Sequence, residues 1–128
     1  MKSIFVIEDD PDVIQVIKDV FEMVKIKGNF FSSSVEGFKE LKSIGTLDVV
    51  DVPQLVIMDL MMPGVSGFEL CKLIRSKDRL KNTSIVVITG YDSPKIRKEV
   101  ALYGVNDYLA KPFDIKEFRS KFLSLIKK

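Results

Sequence analysis

The chain contains no histidine, no tryptophan and a single cysteine among 128 residues. Without imidazole there is no serine-histidine triad, no histidine-ligated zinc and no histidine phosphoacceptor. Any chemistry must come from carboxylates, lysines or hydroxyls. Cys71 alone makes neither an intramolecular disulfide nor a thiolate zinc site, and a lone free thiol reads as a core filler. Uninterrupted apolar runs stop at four residues, too short to span a bilayer, and Ile4-Phe5-Val6-Ile7 is too short for a signal-peptide core. The expectation is a cytoplasmic protein with no membrane partner.

A strong charge of one sign is also missing, since the net charge is only +2. The charges are nonetheless unevenly spread. Residues 1–64 carry 6 basic and 11 acidic groups, residues 65–128 carry 14 basic and 7 acidic. The basic residues are scattered over several helical patterns in clusters no longer than two. They read as solvated helix faces, with no direct nucleic-acid binding expected. With 46% hydrophobic residues the chain can bury a core, and its length fits one domain over residues 1–128.

Short β-branched runs alternate with longer helical patterns five times, which is the signature of βα units building a parallel sheet. The strands read as residues 3–7, 29–32, 55–58, 84–88 and 107–110. The first, third and fourth are apolar on both faces and belong in the middle of a helix-covered sheet. Val13, Ile14, Val16, Ile17, Val20, Phe21 and Val24 recur at helical spacing behind Asp10 and Pro11. Three later helices open with capping boxes, Ser33 with Glu36, Ser66 with Glu69 and Asp114 with Glu117; another opens with Ser93 and Pro94 and ends at Gly104. The last helix is expected to bury Ile115, Phe118, Phe122 and Ile126. Residues 45–53 read as a surface loop. Lys127-Lys128 follow the last helix directly, so an output domain is expected to be absent or cut away.

In a doubly wound sheet the binding crevice lies outside the carboxyl ends of the strands. There the first strand ends in Glu8-Asp9-Asp10, the third in Asp59 and the fourth in Thr89, and Lys111-Pro112 follows the fifth. Clustered carboxylates repel one another unless a hard cation is held between them, and Mg2+ suits oxygen ligands while keeping waters for a phosphate. Glu8, Asp9 and Asp59 fit that role, whereas Asp10, directly before Pro11, reads as a helix cap. Thr89 and Lys111 would complete a cradle for a transferred phosphoryl group.

Four segments carry a family resemblance: Ile4-Phe5-Val6-Ile7-Glu8-Asp9-Asp10-Pro11, Leu55 to Gly64, Ile88-Thr89-Gly90, and Asp107-Tyr108-Leu109-Ala110-Lys111-Pro112-Phe113. In this order they resemble the receiver domain of two-component response regulators. The resemblance implies a flavodoxin-like α/β fold, a (βα)5 doubly wound sandwich with strand order 2-1-3-4-5. It implies Asp59 as phosphoacceptor, and Mg2+ held by Asp9, Asp59 and the backbone carbonyl of Met61, with Glu8 helping through water. Thr89 and Lys111 would hold phosphoryl oxygens, with a cis peptide joining Lys111 to Pro112. Tyr108 stands where the family keeps its switch aromatic. Two departures are Gly90, where alanine is common and which could loosen the loop carrying Thr89, and Gln54, where an acid often precedes the third strand.

The implied partner is a sensor histidine kinase or a histidine phosphotransfer protein, which must supply the histidine this chain lacks. Output would run through the face of the fourth helix, fifth strand and fifth helix to an effector the sequence does not name, and a phosphorylation-dependent dimer is allowed. The chain would be no enzyme in the ordinary sense but a phosphoacceptor that assists transfer to its own aspartate and its slow hydrolysis. Met61 and Tyr91, each two residues past a site residue, are expected to crowd attacking water. An aspartate-nucleophile phosphohydrolase would want a second acid where Met61 stands. A flavodoxin-like electron carrier would want a phosphate loop where the first strand's acids stand, and an unphosphorylated adaptor would be expected to lack part of the acid, threonine and lysine set.

Overall fold

In the computed structural model, which describes residues 3–45 and 52–126, five parallel strands form one sheet. They are β1 (Ile4–Ile7), β2 (Asn29–Phe31), β3 (Leu55–Asp59), β4 (Ser84–Thr89) and β5 (Asp107–Ala110). Their order is β2-β1-β3-β4-β5, so the flavodoxin-like topology implied by the resemblance is present. The helices are α1 (Pro11–Met23), α2 (Ser34–Ser43), α3 (Gly67–Ser76), α4 (Pro94–Leu102) and α5 (Ile115–Leu125). A single 3-10 turn, Asp78–Leu80, follows α3 and was not legible in the sequence.

Residues alternate between two cores because successive strand side chains point to opposite faces of a sheet. Ile4, Val6, Leu55, Ile57, Val86, Ile88 and Leu109 pack on one face with Ile17, Val20 and Phe21 of α1 and Phe118 and Phe122 of α5. Phe5, Ile7, Val56, Met58, Ile85 and Val87 pack on the other with Leu41 of α2, Leu70, Cys71 and Ile74 of α3, and Val100 of α4. Cys71 is fully buried, as a core filler should be. Every residue of β1 and β3 is buried, which is why these strands read as unbroken apolar runs rather than alternating ones.

Four strand ends differ by one residue from the sequence reading. Pairing starts at Ile4 rather than Ser3, and β2 stops at Phe31 because Ser32 leaves the ladder toward the N-cap of α2. β3 and β4 each run one residue further, since Asp59 pairs with Ile88 and Thr89 with Ala110 in the ladder. Both Asp59 and Thr89 are therefore held by sheet backbone.

The helix starts are capped largely as their sequences demand. Asp10, Ser33, Ser66 and Ser93 accept backbone N–H bonds from Asp12, Glu36, Glu69 and Ile96. At α5 the Asp114 carboxylate accepts from Lys116 rather than Glu117. Gly104, with φ at +76°, stands in the left-handed conformation just past α4. Ile115 corrects the expectation of burial: it is 48% exposed, because the first residue of α5 lines a surface groove with Val13, Val16 and Phe113 instead of reaching under the sheet. Ile126 is only partly buried against the α1/α5 core. Most of the loop expected over residues 45–53, and Lys127-Lys128, lie outside the described residues. Among the described residues no helix is long and apolar enough to cross a membrane.

Candidate functional site

Strand β1 delivers Glu8 and Asp9 to the carboxyl edge of the sheet, and β3 delivers Asp59 beside them. Glu8, Asp9 and Asp59 each offer an oxygen within 4.8 Å of the others. Asp9 is exposed, but Glu8 and Asp59 are buried, at 2% and 6% exposure. Three carboxylates so close would destabilise one another in the absence of a cation. Part of that cation is built in: the Lys111 ammonium lies 2.7 Å from Asp59 Oδ2 and 2.9 Å from Glu8 Oε1. Asp59 and Glu8 thus share one lysine at the sheet edge.

The second oxygens of Asp59 and Glu8 are also engaged. Asp59 Oδ1 accepts from the Met61 N–H at 3.2 Å, and Glu8 Oε2 from the Asp10 N–H at 3.1 Å. Burial pushes the Glu8 carboxyl up to about 7, against the pull of its bond from Lys111. Burial also works against the Lys111 charge, but its hydrogen bonds to Asp59 and Glu8 outweigh that and hold the ammonium above its ordinary value. Lys111 is joined to Pro112 by a cis peptide.

On β4, Thr89 is fully buried and its hydroxyl accepts from the Tyr91 N–H at 3.1 Å. The Tyr108 hydroxyl on β5 in turn donates to the Tyr91 carbonyl at 3.4 Å. One residue of the β4–α4 loop thus touches both the strand-end hydroxyl and the β5 tyrosine. Gly90 beside them has open space where a Cβ would stand, so nothing packs the loop from that side. The Tyr108 ring lies 4.8 Å beneath the Arg97 guanidinium, which Asp92 holds through two bonds of 2.7 and 3.0 Å. The sequence reading missed this pair; a cation one turn into α4 reads as an ordinary surface residue. Met61 and Tyr91 flank the site and are 49% and 62% exposed.

The donor set fits a small hard divalent cation. Oxygen ligands from three carboxylates, with one side open to water, match what Mg2+ accepts, and a thiolate- or imidazole-seeking metal finds nothing here.

Fold and site together define a doubly wound α/β module with an acidic crevice, a hydroxyl and a lysine at its strand ends. The chain belongs to the response regulator receiver domain family, whose model matches residues 4–123. It is 29% identical over 128 residues to the DNA-binding dual master transcriptional regulator RpaA of Synechocystis, covering all of this chain and 50% of that protein. The chain spans about half the length, or less, of the first curated relatives it matches. Among solved structures, a Francisella response regulator receiver domain is 29% identical, with a TM-score of 0.80 and coverage of 98% and 96% of the two chains. The receiver domain of a sensor histidine kinase from Pseudomonas aeruginosa, with magnesium coordinated in its active-site cleft, superposes with a TM-score of 0.81 at 20% identity, covering 97% and 96%. Receiver domains of two-component systems take phosphoryl groups from histidine kinases and act as switches rather than as classical enzymes.

Proposed function

We propose that residues 1–128 form one receiver domain, acting in the cytoplasm, in which Asp59 accepts the phosphoryl group of a partner phosphohistidine. The observation that carries this reading is the Asp59 carboxylate at the end of β3, fixed between the Lys111 ammonium and the Met61 N–H beside Glu8 and Asp9. The donor is a sensor histidine kinase or a histidine phosphotransfer protein. An Asp59 oxygen forms the new P–O bond as the N–P bond of the donor breaks, and the imidazole leaves with the electron pair.

Asp9, Asp59 and the Met61 carbonyl, with Glu8 acting through water, would hold Mg2+. When bound, the ion supplies positive charge to the phosphoryl oxygens. Lys111, already aimed at Asp59, is placed to exchange a carboxylate oxygen for a phosphoryl oxygen, and Thr89 to donate its hydroxyl to another. In donating, Thr89 pulls on Tyr91, whose carbonyl receives the Tyr108 hydroxyl, so the change reaches the face formed by α4, β5 and α5. That face then binds a downstream effector or a second receiver. Met61 and Tyr91 offer no carboxylate to activate water, which favours slow loss of the acyl phosphate.

Intact mass after incubation with a small phosphodonor and Mg2+ tests the reading. The wild-type chain is expected to gain one phosphoryl group and Asp59→Asn none. An equal gain in the variant would overturn the assignment.

A further inference from the structure

The segment between Asp59 and α3 is fastened at its ends by backbone N–H groups. Met61 N–H binds Asp59, and Gly67 N–H donates to the Leu60 carbonyl at 2.8 Å. Its middle is fastened from elsewhere. Ser34, the first residue of α2, is 1% exposed, and its hydroxyl donates to the Pro63 carbonyl at 2.7 Å while accepting from the Val65 N–H at 3.0 Å. The two bonds straddle Gly64, whose φ of +91° turns the loop back. A Cβ on Gly64 would lie 2.9 Å from Val35 Cγ2 and 3.3 Å from Ser34 Oγ, so loop and helix are in close contact there.

Ser34 does not cap its own helix; Ser33 does that by accepting from Glu36 N–H. The Ser34 hydroxyl is therefore spent wholly on a loop some thirty residues away in the chain. A buried hydroxyl with both donor and acceptor satisfied by one loop fixes that loop in two directions.

We propose that Ser34 is a positioning residue for the metal and phosphoryl site, holding the β3–α3 loop so that the Met61 backbone stays in register with Asp59. The inference rests on the reading of the carboxylate cluster as a Mg2+ site. Residues that orient metal ligands from outside the ligand set contribute about ten- to a hundredfold in affinity. Because Ser34 bonds Pro63 and Val65 rather than a ligand itself, the lower figure applies.

The test is an MgCl2 titration followed by the amide resonances of Asp59, Leu60 and Met61 in three proteins: wild type, Ser34→Ala and Ser33→Ala. Ser34→Ala is expected to weaken Mg2+ binding about tenfold. Ser33→Ala, which removes the bond from Glu36 N–H at the start of α2, is expected to lower the melting temperature and leave the affinity unchanged. Equal affinity in Ser34→Ala and wild type overturns the proposal, as does an equal loss in both variants. A wild type with no saturable Mg2+ response instead overturns the metal reading and takes this inference with it.

A measurement on wild type alone guards against a variant that fails to fold. Coupling between two events is reciprocal, so bound Mg2+ must slow hydrogen exchange at the Val65 amide by about the factor that Ser34 adds to affinity. An exchange rate unchanged by saturating MgCl2 overturns the proposal.

Discussion

Lys111 spends its charge on two buried carboxylates, and its removal should show what each pairing contributes. Truncation to alanine leaves Glu8 and Asp59 facing one another without a counter-charge, a change that costs several kcal/mol when the pair is fully buried. Lys111 keeps 19% side-chain exposure, and water offsets part of that. Lys111→Ala is expected to lose about 2 kcal/mol in urea unfolding without metal. Asp59→Asn should lose less, since Lys111 keeps Glu8 at 2.9 Å. A Lys111→Ala protein as stable as Asp59→Asn would refute this division. The positions of these three residues were legible from strand-end motifs, but their pairing was not. A sequence shows which carboxylates meet at a sheet edge; how deeply the edge buries them, and which cation reaches in, depends on the path of the β5–α5 loop.

Among the elements, the opposite end of the sheet is tied together by Arg75 at the end of α3. Its guanidinium donates to the carbonyls of Leu80, Lys81, Thr83 and Gly104 and to Asn106 Oδ1. It thereby joins α3, the entry to β4 and the turn before β5. Arg75→Ala should cost about 2 kcal/mol, because four carbonyls, those of Leu80 and Thr83 partly buried, lose a charged donor, and Arg75→Lys should not restore it, since one ammonium cannot reproduce the planar fork. Urea unfolding checks the loss. Mass analysis should show phosphorylation unchanged, the Asp59 site lying at the other end of the strands. From sequence Arg75 was indistinguishable from any cation placed near a helix C-terminus, where the macrodipole favours one. The strands and the cap residues were legible because periodicity and capping are local. Ser34 and Arg75 were not, because their partners are distant in the chain and are brought to them only by the finished fold.

At the scale of the whole molecule, Mg2+ should act as a stabiliser of the native state alone. At about ten times its dissociation constant the gain is about 1.4 kcal/mol by mass action, seen as a melting temperature raised by a few degrees. Asp9→Ala should abolish the rise, because Asp9 is the exposed member of the cluster. A wild-type melt unmoved by millimolar Mg2+ would contradict the site. The strand order also bears on how the chain comes together. Every neighbouring pair of strands is parallel, so each pairing encloses a helix and none can be closed by a tight turn. β1 keeps one flank open until β3 pairs Leu55 with Ile4, and loop closure must precede the contacts that reward it. During synthesis Glu8 and Asp59 are on the chain long before Lys111, which follows the last strand. The nascent sheet therefore carries an uncompensated pair of acids until the β5–α5 unit docks, and its arrival both closes the α1/α5 core and sets one positive charge between Glu8 and Asp59.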